Sequence, residues 1–123
     1  MKSFIALLLL SGVAFAAQPC PVTITHFSAL EHDIILGGIN ASDKPISGVR
    51  FQAFKTSVGE RQNLLEAFDV NRRKAVKPNQ KVGGRWDYPF NSYEANGAYV
   101  VRVSFEDGTT WQDDGSQSCS FTK

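Results

Sequence analysis

The chain has 123 residues, 42% of them apolar and 20% charged, with 13 Lys and Arg against 12 Asp and Glu and two cysteines. That length suits one domain, since domains typically run to about 100–150 residues. A net charge of +1 excludes a strongly basic nucleic-acid binder, and a globular apolar share excludes a disordered chain.

The first residues read as an export signal. Met1-Lys2-Ser3 is a short positive start, Phe4 to Leu10 is apolar throughout, and Ala14 and Ala16 are small residues spaced for signal peptidase. This is a charged n-region, an apolar h-region and a cleavage site, with the apolar run too short for a membrane span of roughly 20 residues. Residues 1–16 are therefore expected to be a signal peptide, with cleavage after Ala17 as the alternative. Residues 17–123 would then form a secreted or periplasmic domain with no further membrane insertion. Pro19 before Cys20 is the wrong neighbour for lipid attachment.

Cleavage after Ala16 leaves 107 residues with 12 basic and 12 acidic side chains. Cys20 and Cys119 both remain, and an even pair in an oxidising compartment predicts a disulfide between the first and last strands. A loop of about 100 residues closed in this way is worth roughly 4–5 kcal/mol in the chain-entropy model. The alternative, a redox or metal-binding cysteine, lacks a Cys-x-x-Cys spacing or a histidine beside Cys119.

No repeat or low-complexity linker divides the chain. Val22-Thr23-Ile24-Thr25 alternates and is β-branched, and Asp33 to Ile39 is an apolar run ended by Asn40-Ala41-Ser42-Asp43-Lys44-Pro45. Gly48 to Phe54 places Val49, Phe51 and Ala53 on one face. Leu64 to Val70 alternates less cleanly and allows a helical turn leading into a strand. Lys81 to Tyr88 reads as extended, with a bulge or bend at Gly83-Gly84. Tyr99 to Phe105 alternates, with Tyr99, Val101, Val103 and Phe105 on one face. Glu106-Asp107-Gly108-Thr109 turns it back into Thr110-Trp111-Gln112. A period of two, broken by Asn, Asp, Gly and Pro, predicts an all-β, antiparallel, Ig-like β-sandwich of about seven strands.

The segment Ile35 to Ser42, followed by Ile46 to Phe54, resembles the FxLYD-type and related Ig-like domains of exported bacterial proteins. Gly38-Ile39-Asn40 matches their strand-and-turn pattern in compressed form, and Val49, Phe51 and Ala53 match the alternating strand after it. Phe51-Gln52-Ala53-Phe54-Lys55 stands where the name-giving motif has Phe-x-Leu-Tyr-Asp. The resemblance extends to about Trp111 and implies a sandwich without catalytic residues.

Chemistry-bearing residues are few. His26 and His32 flank a turn with Glu31 and Asp33, a candidate two-His, one-carboxylate site for copper or zinc. No Gly-x-Ser-x-Gly elbow occurs. Glu106-Asp107 and Asp113-Asp114 are adjacent in sequence, so each pair splits between strand faces rather than forming an acid and nucleophile. Asp113-Asp114-Gly115-Ser116 reads as a turn rather than a calcium loop. Asn40-Ala41-Ser42 matches a glycosylation acceptor placed in a turn.

Charge and aromatics supply the candidate binding residues. From Asn71 to Trp86 lie Arg72, Arg73, Lys74, Lys77, Lys81 and Arg85 with no acid, whereas Asp87 to Cys119 holds six acids against Arg102. Arg72, Arg73 and Lys74 form a candidate docking surface for an acidic protein or envelope polymer. Trp86, Tyr88 and Tyr93 offer sugar-stacking rings, although large aromatics in so small a domain belong first to the core or its rim. The sequence thus predicts a non-enzymatic interaction or accessory module that uses no cofactor. A carbohydrate- or cell-wall-binding module and a copper/zinc-handling protein are the alternatives.

Overall fold

A computed structural model describes residues 19–87 and 95–123. The expected signal peptide, 1–16, together with Tyr88 and Tyr93, lies outside the described residues. Among the described residues there is no helix, and eight strands run antiparallel. These are β1 (Val22–Ala29), β2 (Asp33–Asn40), β3 (Ile46–Ser57), β4 (Glu60–Val76), β5 (Lys81–Asp87), β6 (Gly97–Phe105), β7 (Thr110–Gln112) and β8 (Ser120–Thr122). One sheet has the order β1-β2-β5; the other has β4-β3-β6-β7, with β8 also pairing β6.

The two sheets share one apolar core because their inward rows are apolar at alternate positions. Ile34 and Leu36 of β2 and Val82 of β5 meet Val49, Phe51 and Ala53 of β3, the face expected from the sequence. Ala98, Val100, Val103 and Phe105 of β6 join them. Burying each of these larger side chains contributes on the order of 1.5–3 kcal/mol. Trp86 of β5 bridges the sheets at the rim. Its ring lies 6.2 Å from Phe51, edge-on, and 5.4 Å from Phe68. The Cys20–Cys119 disulfide joins the sheets a second time, with Cα atoms 5.8 Å apart and the two cysteines 99 positions apart in sequence. Cys20 leads into β1 of the first sheet and Cys119 into β8 of the second.

Three expectations are corrected by bulges or by their absence. Tyr99 and Val101 do not share the inward face of Val103 and Phe105. The register passes from Arg50↔Arg102 to Phe51↔Val100, so Val101 is an extra residue and the alternation reverses across it. Ala98 and Val100 consequently enter the core, while Tyr99 lies on the opposite face of the strand, where it is still buried and stacks on Phe54 at 6.3 Å. The helical turn at Leu64 to Val70 is absent, because that segment is strand throughout. Its blurred alternation comes from three residues, 64–66, standing opposite Ala53 alone. Conversely, Gly83-Gly84 makes no bulge, and β5 pairs β2 without a break from Lys81 to Asp87. Gly83 instead permits a close approach, since a Cβ there would overlap the Leu36 carbonyl of β2.

The closing hairpin forms as expected. Gly108 takes φ +89°, and the Phe105 amide donates to the Thr109 carbonyl at 2.9 Å. The Asp107 carboxylate accepts from the Thr109 hydroxyl and amide and pairs with Lys44 at 3.3 Å. Those hydrogen bonds from Thr109, with Lys44 adding to them, lower its pKa to about 2.

Candidate functional site

The largest irregularity in the second sheet falls on the basic run. Between the pairs Ile46↔Val76 and Gly48↔Asn71, β3 has Ser47 alone while β4 has Arg72, Arg73, Lys74 and Ala75. Four residues against one cannot follow the ladder, so the strand arches outward and re-aims its side chains. Arg72, Arg73 and Lys74 are all exposed on this arch.

Beside the arch is an open groove of about 320 Å³ lined by Arg72, Lys74, Val76, Lys77, Gln80 and Lys81, among others. Among the described residues four cations line it and no acid does. The Arg72 guanidinium donates to the Gly83 carbonyl of β5 at 2.8 Å, tying the arch to the first sheet. Among the described residues, Arg73, Lys74, Lys77 and Lys81 form no ion pair. Arg85, the remaining cation of the run, is paired with Asp33 across the β2–β5 ladder. That contact holds the Asp33 carboxyl below its ordinary value and raises Arg85.

The far wall of the groove is fixed by Asn40, which sequence reasoning placed in a turn. Asn40 continues the inward row Ile34-Leu36-Gly38 of β2, so parity buries it completely. Its amide nitrogen donates to the carbonyls of Lys44, at 2.8 Å, and Val76, at 2.9 Å. Its oxygen accepts from the Ser42 amide and hydroxyl. All four hydrogen-bonding positions of the amide are thereby used. Its backbone accepts from the Asn79 amide and donates to the Gln80 carbonyl. Asn40 therefore holds both Val76 and the turn from Lys77 to Lys81. The signal for this role was the parity of β2, which puts a polar residue at a core position. The acceptor pattern Asn40-Ala41-Ser42 is correspondingly closed to modification in the folded chain, since its nitrogen is buried and doubly bonded.

The other candidate residues are placed elsewhere. His26 is exposed on β1, next to a bulge that separates Ile24↔Gly38 from His26↔Gly37. His32 lies in the β1–β2 turn, its imidazole 3.8 Å from the Glu31 carboxylate. Asp33, the other carboxylate considered for this site, is held by Arg85. Among the described residues no three His, Cys, Asp or Glu side chains come together as a metal site. Trp86 is half-buried against Phe51 and Phe68, and its indole nitrogen donates to the Asp69 carbonyl at 3.3 Å. Trp111 is buried in the core. Asp113 and Asp114 cap their own turn, accepting from the amides of Gly115, Ser116 and Gln117. Those local hydrogen bonds, first from Ser116, lower the Asp114 pKa.

No protein-family model matches the chain, and no curated protein sequence matches it either. No helix among the described residues is long and apolar enough to cross a membrane.

Proposed function

We propose that the protein is an exported, non-enzymatic interaction module of Ig-like type whose basic groove docks an acidic protein segment. The observation that carries this reading is the arch at Arg72–Ala75, which gathers Arg72, Lys74, Lys77 and Lys81 around one groove without an acid among its lining. Like charges crowded at a strand edge repel one another, and a carboxylate-rich partner relieves that repulsion. Among the described residues no aromatic ring lines the groove, which favours carboxylates over stacked sugars. Trp86 gives the carbohydrate alternative little support, because its ring is engaged with Phe51 and Phe68.

The Ig-like assignment draws support from the sheet order. β2 leads to β3 in the other sheet, β4 returns to β5, and β5 crosses again to β6, a Greek-key path common to such sandwiches. Here β4 stands beside β3, rather than at the edge of the first sheet as in constant-type domains. Export is supported by the signal-like residues 1–16 and by the disulfide, which persists in oxidising compartments.

Fluorescence anisotropy with a labelled oligo-aspartate peptide tests the groove. Binding is expected to fall with salt, and the Lys74→Gln/Lys77→Gln/Lys81→Gln variant is expected to bind at least about tenfold more weakly. Equal affinity for both proteins, or no binding at low salt, overturns the reading.

A further inference from the structure

We propose that Arg50 and Arg102 form an oxyanion-binding site on the outer face of the β4-β3-β6-β7 sheet, separate from the basic groove. Two adjacent rows cross this face. One runs Asp69, Arg50, Arg102, Gln112, and the other Asn71, Gly48, Ser104, Thr110, each residue opposite the next in register. Alternate residues of a strand share a face, so the two rows make a polar surface two residues deep across four strands.

Two arginines directly opposite one another on neighbouring strands are mutually destabilising unless a counter-charge joins them. Asp69 supplies one counter-charge, 3.8 Å from Arg50 on the side away from Arg102. On its other side Arg102 faces neutral Gln112. Among the described residues Arg102 has neither an ion pair nor a side-chain hydrogen bond. The row therefore carries one positive charge that nothing in it balances.

The ground beside the arginines is shaped to admit an oxygen atom. A depression of about 20 Å³ is lined by Gly48, Arg50, Asp69, Asn71, Arg102 and Ser104, among others. That is room for one water-sized atom. Gly48 keeps it open: a Cβ there would stand 3.1 Å from the Asn71 side-chain oxygen. The bulge at Val101 immediately precedes Arg102 and changes the strand's alternation there. A carboxylate or phosphate with one oxygen at the depression, which Asp69 also lines, would lie beside Arg50 and Arg102, whose guanidinium groups offer charge-assisted hydrogen bonds stronger than neutral ones. The shared chemistry is a solvent-facing oxyanion. Planar and tetrahedral forms are separated by experiment.

The test is an NMR titration of the purified disulfide-bonded protein with sodium phosphate and, separately, sodium acetate, against chloride at matched ionic strength. The Arg50 and Arg102 Nε–H signals and the Gly48 and Ser104 amides are expected to shift and saturate with at least one of the two anions. Phosphate alone identifies a tetrahedral site, and acetate alone a planar one. Arg102→Gln is expected to weaken binding at least about tenfold, with amide dispersion showing that the variant stays folded. Lys74→Gln/Lys77→Gln/Lys81→Gln is expected to leave the response intact. Shifts that never saturate, an unchanged affinity in Arg102→Gln, or a response lost only in the triple variant overturn the proposal.

Discussion

The Asn40 corner and the Arg72–Ala75 arch meet at Val76, whose carbonyl receives the Asn40 amide. At the corner, every polar atom of one buried side chain is satisfied inside the protein. On the arch, Arg73 and Lys74 remain in solvent with no counter-charge among the described residues. A strand that keeps its register buries alternate residues whatever their polarity, and a buried polar residue must then find internal partners. A strand that leaves its register puts consecutive residues into water and frees them for a partner. The two regions are coupled, because the rigid corner holds the wall against which the free cations are displayed.

Five experiments press on that contrast. Replacing Cys20 and Cys119 together by serine releases the two sheets from each other, at an expected cost of about 4 kcal/mol. Urea unfolding measures it, and the groove residues should lose affinity only in the range where the variant unfolds. Asn40→Ala strips the Val76 and Lys44 carbonyls of their donor in a buried place and is expected to cost about 3 kcal/mol. Hydrogen exchange should then show the Lys77–Lys81 turn opening before the strands do.

The arch should behave in the opposite way. Lys74→Gln/Lys77→Gln/Lys81→Gln is expected to change unfolding stability by no more than about 0.5 kcal/mol while removing acidic-peptide binding. A large stability loss would mean that these lysines are structural, as Asn40 is. Arg72→Gln should fall between the two, because its donor to Gly83 links the sheets while its charge lines the groove.

The smallest effect concerns acid. Asp107 is lowered from 3.8 to about 2 in the folded chain, chiefly by Thr109. A depressed folded pKa contributes stability that is complete above the unfolded value, near 4, and is lost as pH falls toward about 2. Asp107→Asn should therefore be less stable than the parent above about pH 4 and converge with it as pH falls toward about 2, which flattens the acid limb of the stability curve. Denaturant midpoints measured at several acid pH values check this.

Much of the fold was legible in the sequence. The alternation of Val49, Phe51 and Ala53, the Asp107-Gly108 turn and the paired cysteines each rest on a local rule, and the structure contains all three. Tyr99 and Val101 were misplaced because a bulge moves every later residue to the other face, and nothing in Tyr99 to Phe105 marks where it falls. The same blindness covered the arch. The basic run was visible as a run of charges, but its departure from the ladder required knowing that Ser47 alone stands opposite.

The sequence by itself determined the strand content, the turn residues, the cysteine pair and the segregation of charge. All of these follow from period-two patterning and side-chain chemistry, which act over a few residues or need only residue identity. Tertiary structure alone decided that Asn40 is an interior anchor, that Trp86 is a bridge between sheets, and that Arg50 faces Arg102. Each depends on which strands become neighbours and in what register. Register is set by how two faces bury their apolar rows together, a collective property that no single segment specifies.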